Sequence, residues 1–146
     1  MKPMNENVTE ETWPVHVHRV HREMTVLVRP SVASLSRTRD RKRGEAVGSG
    51  IYLTILNRPY LLTCEHVIRK TALAGCSLTH QPKTGDYYHG FPHPWFMEPS
   101  PVDLAVTFID LASWEVGDKI GVPVELFAER YAPTEHEIAF CGGSPG

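Results

Sequence analysis

The chain has 146 residues, 41% of them apolar and 22% charged, with a formal net charge of −2 and eight histidines. Such values belong to an ordinary folded domain with room for one core, and they argue against disorder and against a strong electrostatic pull toward nucleic acid. No run of about 18 apolar residues occurs, and Met1–Thr12 carries Glu6, Glu10 and Glu11 in place of the apolar stretch of a secretory leader. A cytoplasmic location is therefore expected, with no membrane partner. The three cysteines, Cys64, Cys76 and Cys141, show no close CxxC spacing and predict reduced thiols.

Residues 1–22 read as a polar, irregular lead-in. His16 and His18 would share one side of an extended strand and offer imidazoles to a metal, with His21 nearby. No acidic or cysteine partner stands at matching spacing, so a solvated segment and no metal site are expected. Met24–Leu35 is rich in apolar and β-branched residues and predicts a strand bent at Pro30. Ser36–Glu45 concentrates Arg and Lys without apolar periodicity and predicts a solvated loop between strands, with nucleic-acid contact not expected.

Gly48–Leu56, the turn signal Asn57-Arg58-Pro59 and the apolar run Tyr60–Lys70 predict a hairpin. Gly75–Leu78 reads as a short strand. Gln81–Pro101 holds five prolines and two glycines and predicts a long irregular surface loop. His80, His89 and His93 in this region are expected to be solvated. Its aromatic cluster, Tyr87, Tyr88, Phe91, Trp95 and Phe96, is expected to cap the core in preference to lining a cleft.

Val102–Leu111 is the clearest remaining strand, Trp114 is expected to pack near its end, and Pro123–Phe127 and Ile138–Phe140 predict two weaker strands. Helical periodicity is nearly absent. Many short strands punctuated by Gly and Pro predict an all-β sandwich or barrel.

Acyl transfer by a catalytic triad needs an imidazole to take the nucleophile's proton and a carboxylate to hold that ring in the right tautomer. His66 follows the apolar strand Tyr60–Thr63, and Asp103 opens the strongest later strand. The ordered pattern Gly48-Ser49-Gly50-Ile51, then Leu61-Leu62-Thr63-Cys64-Glu65-His66-Val67-Ile68, then Asp103-Leu104-Ala105-Val106 resembles the chymotrypsin-type, or trypsin-like, serine peptidases. The resemblance implies a chymotrypsin-like antiparallel β-barrel, with His66 as general base and Asp103 as its orienting carboxylate. The spacing of 37 residues between them is similar to that of compact bacterial, HtrA-like members. Cys64 and Glu65 depart from the small residues usual before the histidine.

That resemblance divides the chain into a first barrel over residues 23–130, largely complete, and the start of a truncated second barrel over residues 131–146. It implies a serine endopeptidase acting on protein or peptide substrates without a cofactor, represented here by a fragment lacking the nucleophile. Ser144 and Cys141 are weak candidates for that role, because the 41 residues from Asp103 to Ser144 leave too little chain for a second barrel of strands about 5–6 residues long. A missing C-terminal barrel or a partner is expected to cover the face the first barrel leaves open. The alternative reading is a non-catalytic, peptidase-like module for protein binding, with the Arg-rich segment as its contact surface.

Overall fold

The computed structural model describes residues 9–40, 43–81, 88–127 and 132. In chain order these form helix α1 (Trp13–Val28), strands β1 (Val32–Asp40), β2 (Arg43–Ile55) and β3 (Arg58–Thr63), and helix α2 (Glu65–Leu73). Then come strands β4 (Ser77–His80), β5 (His89–Gly90), β6 (Phe96–Glu98) and β7 (Leu104–Phe108), the short helix α3 (Leu111–Glu115) and strand β8 (Val122–Pro123).

The strands build a mostly antiparallel sheet that curls into a half-barrel, in the order β5-β4-β1-β2-β3-β7-β6. Strand β8 joins β2 in parallel at Leu53 and Thr54, just past the point where β1 leaves it at Ile51. Strict alternation sets the two faces: in β7, Ala105 and Thr107 are buried while Leu104 is exposed. On the concave side Ala33, Leu35, Tyr52 and Leu61 form the core with Val67 of α2 and Ile109, and Phe91, Trp95 and Trp114 pack against its edge.

Helix α1 overturns two expectations. Residues 13–22 are not an irregular lead-in, and Met24–Val28 is not strand; the strand begins only at Val32, after a 3-10 turn at Arg29–Ser31. The helix starts where the Thr9 N–H donates to the Thr12 hydroxyl and the Thr12 N–H donates back to that of Thr9, and Pro14 lies in the first turn, where its missing N–H costs nothing. None of its residues is buried, so the valines that suggested a strand are not held by a sheet. His16, His18 and His21 accordingly lie on a helix and do not alternate along an extended segment.

The Arg-rich segment is also more ordered than a loop. Ser36–Asp40 continues β1 and Arg43–Glu45 opens β2, with β4 pairing from the other side. Arg37 faces Glu45 across the pair and binds it at 2.6 Å, while the Thr79 hydroxyl donates to the Ser36 carbonyl. Cross-strand ion pairing and a strand on each side outweigh the polar composition.

The expected hairpin is present as β2 and β3 around Leu56 and Asn57, both with positive φ. The run beyond it is helical, not extended. The described residues of the expected loop Gln81–Pro101 are mostly irregular but include β5 and β6, and Val122–Pro123 is strand where Pro123–Phe127 was expected. Tyr87 and Ile138–Phe140 lie outside the described residues.

His80 is not solvated: it is 1% exposed, its Nδ1 lies 2.8 Å from the Tyr52 hydroxyl, and its ring stacks on Phe91. Phe91 and Trp95 cap the core as expected, whereas Tyr88 and Phe96 are exposed. The buried Thr107 hydroxyl donates to the Pro94 carbonyl at 3.0 Å and so ties this aromatic segment to β7.

Candidate functional site

The strand pair β3–β7 determines where His66 and Asp103 meet. Thr63 lies opposite Ala105 in antiparallel register, so the chain leaving β3 and the chain entering β7 run side by side at the same end of the sheet. The ladder continues one step further, as the Glu65 N–H donates to the Asp103 carbonyl at 3.3 Å. At that point the first chain turns into α2, with Cys64 as the residue before its first turn.

A helix start leaves backbone N–H groups without partners inside the helix. Cys64 supplies no side-chain cap. Asp103 does so from the chain just before β7: Oδ1 accepts the His66 backbone N–H at 3.0 Å, and Oδ2 lies 2.7 Å from the His66 ring Nδ1. One carboxylate thus closes the helix terminus and fixes the ring. Asp103 itself has φ of +54°, a left-handed conformation that aspartate tolerates better than most residues, and its N–H donates to the Pro99 carbonyl at 3.2 Å.

The rest of the frame follows from small residues in β2. A Cβ on Gly50 would stand 2.7 Å from the Leu62 carbonyl oxygen, and one on Gly48 would stand 3.1 Å from Val67 of α2. The Thr63 hydroxyl donates to the Ser49 carbonyl at 2.9 Å. The Gly-Ser-Gly segment therefore lets β3 and α2 approach closely and anchors the residue from which the chain turns toward His66.

The site is half open: the side chains of His66 and Asp103 are 43% and 36% exposed. The His66 backbone N–H, reinforced by its ring, holds the Asp103 carboxyl below the usual carboxylate range. An ionised Asp103 accepts from Nδ1–H, which leaves Nε2 as the lone-pair nitrogen of the neutral ring. Nε2 has no hydrogen-bond partner among the described residues. This tautomer can accept a proton from a group approaching on the side away from Asp103.

Cys64 completes the cluster. Its thiol is pushed up by burial, by the Asp103 charge and by a hydrogen bond to the Asp103 carboxylate. The Cys64 sulfur and the ligating atoms of His66 and Asp103 all lie within 4.8 Å of one another. Sequence reasoning identified His66 and Asp103 but took Cys64 only as a departure from a pattern; its place beside the carboxylate follows from the helix start, for which the sequence carries no capping residue.

Ser144 and Cys141 lie outside the described residues. No protein-family model, curated protein or solved structure matches the chain. Among the described residues, no helix is long and apolar enough to cross a membrane.

Proposed function

We propose that this chain carries the base half of a trypsin-like serine endopeptidase, with its half-barrel as the first barrel of a chymotrypsin-like fold. The observation that supports the reading is the 2.7 Å contact between His66 Nδ1 and Asp103 Oδ2, the two residues to which the resemblance assigns base and carboxylate. His66 takes the proton of a serine nucleophile through Nε2 and returns it to the leaving amine. Asp103 keeps the ring in that tautomer and stabilises the imidazolium. The substrate is a protein or peptide, and the chemistry calls for no cofactor.

The convex side of the sheet supports an association beyond the described residues. Val32, Ile51, Leu62, Val106 and Phe96 are successive cross-strand partners, so they form one apolar row five strands wide on the face opposite the core. Phe96 at its edge is 70% exposed. A second barrel would cover this row; the alternative, a peptidase-like module without catalysis, would use it for a protein partner.

Fluorophosphonate labelling of the protein expressed from its whole reading frame distinguishes the two. The expected result is one adducted serine, no labelling in His66→Ala, and labelling slowed about 10⁴-fold in Asp103→Asn. A folded protein with no serine adduct overturns the peptidase reading and leaves the binding module.

A further inference from the structure

Three side chains of different chemistry converge at the start of α2, and among the described residues no other set of three His, Cys, Asp or Glu ligands comes together in this way. We propose that Cys64, His66 and Asp103 form a binding site for a divalent borderline-soft cation, Zn²⁺ in the first instance, and that the bound ion switches off the base. The binding stands on this geometry alone, whereas its regulatory consequence rests on the proposed role of His66.

The ligand set suits zinc. A thiolate and an imidazole select against the hard cations Mg²⁺ and Ca²⁺, and three protein ligands leave a fourth position for water. The thiolate and carboxylate together balance the ion's charge. Zinc bonds of about 2.0 Å to nitrogen and oxygen at a tetrahedral angle separate those two atoms by about 3.3 Å. The observed 2.7 Å between Nδ1 and Oδ2 must therefore open by several tenths of an ångström, within reach of two half-exposed side chains.

Asp103 is suited to that change because its oxygens have separate duties. Oδ1 stays on the His66 backbone N–H and keeps the carboxylate oriented, while Oδ2 exchanges a ring proton for the metal. The protons balance as follows. The Cys64 thiol loses its proton to solvent as the sulfur–zinc bond forms, and the ring proton passes through solvent from Nδ1 to Nε2 as Nδ1 takes the metal. The coordinated ring is then an N–H donor at Nε2 and has no lone pair there for a nucleophile's proton. Zinc binding and general-base action are thus mutually exclusive on one imidazole.

The test uses the intact chain, titrated with Zn²⁺ by calorimetry in buffers of different ionisation heat and with Co²⁺ by absorption. The expected result is one ion per chain, release of one proton and a thiolate-to-cobalt charge-transfer band. Cys64→Ser and Cys64→Ala should each weaken binding by more than about tenfold, the low end of what loss of even an outer-shell partner costs. A Cys76→Ser variant and a variant with His16, His18 and His21 all changed to Asn should bind as the parent does.

Unchanged affinity in both Cys64 variants, absence of the charge-transfer band, or loss of binding in the His16, His18 and His21 variant overturns the site. The Nδ1–H resonance of His66 by ¹⁵N-edited NMR should disappear on zinc binding; its persistence in the saturated protein overturns the switch. Failure of fluorophosphonate labelling in metal-free protein counts against the peptidase reading and leaves these binding results intact.

Discussion

Among the described residues Tyr52 and His80 are the largest fully buried polar side chains, bonded to each other, and burial makes the His80 ring sensitive to acid. Burial, aided by the nearby His89, brings the His80 ring down from 6.5 to about 4. Burial also pushes the Tyr52 hydroxyl up, so it remains the donor to His80 Nδ1. The unfolded chain binds a proton at His80 below pH 6.5 while the folded chain resists it until about pH 4. Stability contributed by neutral His80 is therefore complete above the upper value and is lost as pH falls through this window, by up to about 3 kcal/mol. Urea unfolding at a series of pH values should show this loss, and the His80→Gln variant should lack that part of the slope.

Among the elements, β2 depends on the absence of a side chain at one position. Gly50→Ala would bring a methyl group to 2.7 Å from the Leu62 carbonyl oxygen, which belongs to the backbone and cannot rotate away. A loss of about 1–3 kcal/mol in urea unfolding is the expected outcome. The motif around Gly50 was legible because glycine spacing and alternating apolar residues are written into adjacent positions. So were β3 and β7, as apolar runs; the meeting of His66 with Asp103 was an expectation of the resemblance to trypsin-like peptidases, and the β3–β7 register that brings them together is seen only in the structure. Helix α2 was not legible: its start is closed by Asp103, far along the chain, and no local cap announces it. Helix α1 escaped for the opposite reason, because its valines carry strand propensity and no residue is buried to impose a helical pattern. His80 was misread from its polar surroundings in sequence, although Leu35 faces it across the β1–β4 pair.

On the scale of the whole molecule, an apolar row crosses five strands on the face opposite the core. Val32, Ile51, Leu62 and Val106 are half-buried, and Phe96 lies on the edge strand β6, whose three residues are all exposed. Exposed apolar surface beside an open strand edge favours association. Phe96→Lys should reduce concentration-dependent association in sedimentation velocity while changing the unfolding free energy by less than about 0.5 kcal/mol. If the row were internal to a well-covered core, the same change would lower stability by several times that amount.

The carboxylate at position 103 answers to two masters, the helix terminus and the imidazole. It seals the first turn of the helix through one oxygen and aims the imidazole through the other. If the proposed peptidase role holds, a lineage that gave up hydrolysis would still be under pressure to keep an acid there. Preservation of aspartate among descendants of this chain would therefore testify to an intact fold before it testified to a working enzyme, and the histidine alone would betray which had been lost.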